Sequence, residues 1–298
     1  MKLPLIAFAV LLLLICGGYT GYWFYVAGRL QTGIEAWIAQ QRAAGIELTL
    51  AEGGIGGFPL AFRRDFGAAK LALAGPAPLG VETSSLVAEM RPWNINQIRF
   101  TAVSAKLAAT PGLYQAAELS GEIGIPKAPP TDYHQPFIGF DLAAQDVTLP
   151  DGPRAVAASP IETLAVQGAV MGPVPQAANL TEALAGWSAA GGVLEIKSFT
   201  FVQAPLNAAG DGTLALDQNL QPIGALAVHA YGVAETLAQL EQDGLIDPNQ
   251  AKTAKLIVGG LAKPDDTGKP RFDVSLSLQD GHLWLGPVKL ARLPSFNW

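Results

Sequence analysis

From Leu3 to Ala27 the chain runs for about 25 residues without a charged side chain, and that stretch limits what it can become. A helix needs about 20 mostly apolar residues to cross the roughly 30 Å of bilayer hydrocarbon. The stretch therefore predicts a transmembrane anchor, with everything after it on one side. It closes in Tyr19, Tyr22, Trp23, Phe24 and Tyr25, residue types that settle at headgroup level, where a ring can be half wet. These five form the expected membrane-interface belt, with a water boundary near Tyr25. Two other readings compete. A cleaved secretory signal has a core of roughly 7 to 15 apolar residues and then a small-residue cleavage site. Here bulky aromatics prolong the run and no Ala-x-Ala follows. Cys16 could suggest lipoprotein processing, but Ile15 stands where a small residue is expected. The retained anchor is favoured over both.

Lys2 lies on the short side, whereas Arg29 and Arg42 on the long side are accompanied by Glu35 and Glu47. A short, basic, acid-free N-terminus favours a cytoplasmic start and an exported body, which predicts a single-pass inner-membrane protein with a periplasmic C-terminal domain. The single Cys lies inside the anchor, so the body has no disulfide or thiol chemistry. Charged residues make up 15% of the chain and the net charge is −6. Such a chain lacks the clustered Lys and Arg that phosphate backbones require, so no nucleic-acid partner is expected. The 22 prolines and 33 glycines point to many short strands and turns.

Residues 28–45 read as an amphipathic juxtamembrane helix, with Leu30, Ile34, Trp37 and Ile38 on one stripe. Its polar face is poor in cations, which favours docking on its own domain over lying in the lipid interface. The Gly53–Gly57 cluster, followed by Phe58-Pro59, reads as a turn bending the first strand pair, since no phosphate-loop context follows. Residues 46–298 then form one exported, mainly β domain, with a sub-boundary near 171–192. Alternation is clean in 118–125, 161–170 and 271–278, the signature of a half-buried antiparallel sheet. In 97–107, 140–149 and 194–201 the apolar phase slips by one residue, as at a β-bulge, and bulges bend sheets. Short helices are expected over 180–190, with Asn179 and Glu182 as a capping pair, over 233–243, and over 248–258, closed by Gly259-Gly260. The fold class is mainly β (α+β): an N-terminal transmembrane helix, then a large curved, bulged antiparallel sheet or sandwich with a few peripheral helices.

Little in the chain carries chemistry. His134, His229 and His282 have no second ligand at short spacing. Neither Gly-x-Ser-x-Gly nor His-Glu-x-x-His occurs. Asp265-Asp266 and Asp211-Gly212 read as solvated turns. No catalytic residue, metal site or cofactor is therefore expected, and the protein is read as a non-enzyme.

Gly21-Tyr22-Trp23-Phe24, Gly33-Ile34-Glu35-Ala36-Trp37 and Gly57-Phe58-Pro59-Leu60 resemble the opening of an uncharacterised family of alphaproteobacterial membrane-anchored envelope proteins, domain of unknown function 2125. Gly210 to Asp217, Leu220 to Gly224 and Gly281 to Pro287 are similar to its closing half. The resemblance implies location and architecture and no activity. The Gly57-Phe58-Pro59 turn after an anchor also resembles AsmA-like envelope proteins, whose β-grooves are associated with lipid traffic. An apolar sheet face must be covered, folded on itself or left as a groove. Leu194, Ile196, Phe199, Phe201, Phe272, Val274, Leu276 and Trp284 are the expected groove residues. The expected partners are membrane lipids. The competing reading is an anchored scaffold or assembly factor that binds another envelope protein.

Overall fold

The computed structural model describes residues 2–43, 45–73, 79–109, 112–149, 159–177, 179–286 and 288–293. Helix α1, Lys2–Ala43, carries the apolar stretch and the juxtamembrane segment as one element. At 1.5 Å per residue it is about 63 Å long. Among the described residues it is the one helix long and apolar enough to cross a membrane.

Strands β1 (Glu47–Thr49), β2 (Phe62–Leu73), β3 (Leu79–Arg91), β4 (Asn94–Ala109), β5 (Gly112–Gly124), β6 (Pro136–Val147) and β7 (Ile161–Met171) follow. After helix α2 (Leu180–Ala189) come β8 (Val193–Gln203), β9 (Leu206–Leu216) and β10 (Pro222–Tyr231). Helices α3 (Val233–Gln242) and α4 (Pro248–Leu261) precede β11 (Lys263–Pro264), β12 (Pro270–Gln279), β13 (His282–Leu285) and β14 (Val288–Arg292). Each strand pairs antiparallel with the one before it, in the order β1 to β10, then β12, β13 and β14, with β11 pairing the start of β12. The result is an open meander in which no second sheet is built from the described residues. The sandwich alternative is not the fold.

The phase slips are bends in this sheet. Ser104 and Asp146 adopt positive φ of 53° and 50°, one in each of the two earlier slipping segments. In β8 the register against β9 jumps between Ile196 and Phe199. One extra residue is absorbed there, so Leu194, Ile196, Phe199 and Phe201 all meet the same row of β9 partners, Leu214, Gly212, Gly210 and Ala208. Without the bulge, the two phenylalanines would point to the other face.

α1 runs alongside β2. The Trp23 ring stacks on Phe62 at 5.2 Å, Arg64 donates to Gln31 Oε1 at 2.6 Å, and Arg42 donates to the Leu48 carbonyl at 3.0 Å. From residue 23 to 42 the helix rises about 28 Å. The matching stretch of β2, from Phe62 to the Leu71 that pairs with Leu48, extends about 30 Å. The two are therefore near parallel. Trp23, 2% exposed, heads a small core with Ala27 and Phe62.

Helix ends follow local chemistry. Asn179 Oδ1 accepts from the Glu182 backbone at 2.9 Å while its amide donates to the Glu182 carboxylate, the expected capping pair. Gly191, at φ 82°, ends α2. The expected stop at Gly259-Gly260 is not one, because α4 continues to Leu261. Both glycines there face open space, where glycine costs a helix only about 1 kcal/mol.

Candidate functional site

Directly paired residues share a face, so the register can be followed across the sheet. From β3 the row Met90, Ile98, Ile123 and Phe140 joins at its own end a row Leu86, Ala102, Leu119 and Ala144. In β7 it continues through Leu164, Val166 and Val170, and in β8 through the four apolar residues around the bulge. It ends in Leu226 and Val228 of β10, Phe272, Val274, Leu276 and Leu278 of β12, and Leu283 and Leu285 of β13. Among these registered positions, from β3 to β13, no side chain is ionisable. At 4.7–4.9 Å per strand, these ten strands make an apolar floor about 45 Å across.

The opposite face is wet. Arg99 pairs with Glu122 at 2.7 Å, and Gln167 donates to Asp141 at 3.2 Å. His229 Nδ1 lies 2.6 Å from Asp273, which also accepts from Arg271 at 2.9 Å. The Arg271 hydrogen bond, then that of His229, lowers the Asp273 pKa. At the same edge Tyr231 donates to Asp265 at 3.2 Å. Asp265 accepts also from the Thr267 hydroxyl and from the Thr267 and Lys269 backbones, which lowers its pKa to about 2. These contacts pin a turn and pair neighbouring strands. Among the described residues, no group of His, Cys, Asp and Glu could hold a metal ion.

The apolar face is walled but not roofed. α1 borders it at β2, where Arg64 is buried beneath the helix. Where β7 ends and β8 begins, α2 is held over the face by Trp187 Nε1 donating to the Met171 carbonyl at 2.7 Å and by Ser188 donating to the Leu216 carbonyl at 2.8 Å. Beneath it lies an apolar cavity of about 300 Å³ lined by Val170, Leu184, Leu194 and Leu214. At the opposite strand ends, α3 places Thr236, Gln239 and Leu240 over Phe201 and Leu206. Between the helices, Phe140, Leu142, Val166, Phe199, Val274 and Leu276 stay partly exposed, and Leu164 is 40% exposed. Only twelve apolar residues are buried among those described. The chain exposes 18390 Å², against about 12,000 Å² for a compact monomer of 31.1 kDa. A single layer and a free helix account for such an excess.

Two glycines shape the floor. A Cβ at Gly168 would meet the Glu195 carbonyl and lie 2.8 Å from the Phe140 ring, and one at Gly210 would meet the Ala227 carbonyl and lie 2.8 Å from the Phe199 ring. Each phenylalanine therefore lies across the neighbouring strand instead of standing above the sheet, which leaves the space over the floor open.

Of the expected groove residues, Leu194, Ile196, Phe199, Phe201, Phe272, Val274 and Leu276 share this face. Trp284 does not. It pairs with Ser277 on the wet side, where Lys289 lies 5.0 Å from its ring. The two-residue Asp280-Gly281 turn, both at positive φ, sets Gln279 against His282 and so Ser277 against Trp284. Counting from that turn would have found this in the sequence. The expected interface belt also divides. Trp23 is buried against the domain, with its Nε1 donating to the Ala61 carbonyl at 3.2 Å. Tyr22, Phe24 and Tyr25 are exposed, and Tyr19 bonds the Pro59 carbonyl. The floor residues Phe100, Phe140 and Leu142 were not among those expected, although their strands carried the bulge signal.

Comparison with known proteins returns one family, described as "Uncharacterized protein conserved in bacteria (DUF2125)", matched over residues 23–120 and 98–294. No curated protein and no solved structure matches the chain.

Proposed function

Because the chain belongs to the DUF2125 family, whose description assigns no activity, we propose from the geometry that the protein binds lipid on the open apolar face of its sheet and passes it along that face. One observation carries the reading. A floor about 45 Å wide, without an ionisable side chain among its registered positions, is left without a second layer, while the ion pairs of the sheet among the described residues sit on its other side. A partly exposed face of this extent needs an apolar partner, and each buried methylene of an acyl chain contributes about 0.8 kcal/mol. The work is binding and transfer, with no chemical step. α1 anchors the body in the inner membrane with Lys2 on the cytoplasmic side, so that the sheet stands in the periplasm.

The test is photocrosslinking of the full chain in its own membrane, with benzoylphenylalanine replacing Phe140, Phe199 or Leu276 on the apolar face, or Arg99 or Thr101 on the wet face. Lipid adducts confined to the first three support the proposal. Equal labelling of both faces would sink it, and adducts to a protein at the apolar positions would favour the scaffold reading.

A further inference from the structure

The strand ends nearest α1 carry a rim that the lipid-binding reading does not use. Phe58 and Leu60, in the turn before β2, are 47% and 62% exposed; Trp93, in the β3–β4 turn, and Ile95, at the start of β4, are 63% and 50% exposed. These turns do not hang free. α1 holds them, since Tyr19 donates to the Pro59 carbonyl, Tyr22 to the Pro92 carbonyl at 3.0 Å, and Trp23 to the Ala61 carbonyl at 3.2 Å. Phe24 stacks on Phe58 at 5.6 Å. The depth of α1 in a bilayer therefore sets the depth of both turns.

That depth can be counted. About 20 helical residues span the hydrocarbon, and a span that begins at Leu3, just after Lys2, ends at Tyr22. Tyr22 is the residue bonded to Pro92, so the β3–β4 turn lies at the hydrocarbon boundary. Were the domain to stand clear of the lipid, the span would have to end before Tyr19, about 24 Å from Leu3, which is too short. Arg91 stacks its guanidinium over Trp93 at 5.6 Å, a cation beside an exposed indole, suited to phosphate headgroups above acyl chains. The same strand ends farther along the sheet are polar, at Asp217-Gln218-Asn219 and Asp280-Gly281. Adjacent strands rotate by about 20 to 25°, which carries those later turns out of the membrane plane.

We infer that the Phe58–Leu60 and Trp93–Ile95 segments are a second membrane-contact surface, seated in the leaflet where the membrane span of α1 ends at Tyr22, so that the apolar face of β2 to β4 begins at the lipid itself. The inference rests on α1 spanning the bilayer. It makes the rim the site where lipid enters or leaves the sheet.

The test uses the full chain with Cys16→Ser, in vesicles of phosphatidylethanolamine and phosphatidylglycerol, bearing single nitroxide-labelled cysteines from Leu60→Cys, Trp93→Cys, Gln218→Cys and Leu12→Cys. Collision with oxygen is compared with collision with a water-soluble nickel chelate. The oxygen-to-nickel ratio at positions 60 and 93 should exceed that at 218 several-fold and rise toward that at 12. A hydrocarbon reading at 12 with a water reading at 60 and 93 overturns the rim and leaves the anchor standing. A water reading at 12 overturns both. Labels at 60 and 93 shielded from both reagents would mean that protein covers the rim, which also overturns the inference.

Discussion

Replacing Leu164 with Glu puts a charge in the middle of the apolar floor at a modest cost to folding. Leu164 pairs with Ala144 and Phe201 and is 40% exposed, so the buried part of its side chain is worth about 1 to 2 kcal/mol. A bound acyl chain would have to leave the carboxylate to water. Losing contact over about three methylenes costs about 2.4 kcal/mol, or an affinity loss of about fiftyfold. Ala165→Glu, one residue on, points to the wet face opposite Ala143 and Thr200 and should leave affinity within about twofold. The assay is equilibrium binding of a fluorescent polyene fatty acid to residues 18–298, with thermal melts to confirm folding. A loss below about fivefold for Leu164→Glu, or equal losses for both variants, would refute the argument that this face is the ligand surface.

Trp23→Ala should release α1 from the sheet edge at a cost of about 3 to 5 kcal/mol, and a body cut to begin at Gly28 should melt well below one that begins at Gly18, as read by thermal denaturation. Gly210→Val should cost more than about 2 kcal/mol in protease-resistance titrations, because its Cβ meets a carbonyl and the Phe199 ring. Gly259→Ala, open on the outside of α4, should stabilise by up to about 1 kcal/mol in the same assay. Asp265 has its pKa depressed to about 2 by hydrogen bonds from an unfolded value of about 3.9. Its stabilisation is therefore complete above that unfolded value and lost as pH falls through about 2. The difference in melting temperature between wild type and Asp265→Asn should be constant near neutral pH and shrink in acid, and a gap that widened in acid would contradict the assignment.

Much of this architecture is legible in local pattern. Period-two alternation gives the strands, and the one-residue slips fall where Ser104, Asp146 and the Ile196–Phe199 bulge bend the sheet. What local pattern leaves open is anything set by distant pairing. Trp23 has the same chemistry whether it faces headgroups or stacks on Phe62, 39 residues later, and only the docking of α1 along β2 decides between them. Trp284 alternates as an inward residue would, yet the register that follows from the Asp280-Gly281 turn sends it to the wet side. The absence of a roof over the floor follows from the full strand order, which no single segment encodes. The glycines at α4 read as a stop because glycine is the usual helix terminator, but an exposed helix tolerates them.

The most direct measurement is mass spectrometry of the small molecules that travel with residues 18–298, exported to the periplasm and purified without detergent beside a matched control protein. The account predicts envelope lipid in stoichiometric amount, lost from a folded Leu164→Glu variant and kept by Ala165→Glu. A folded body that carries no lipid would contradict it.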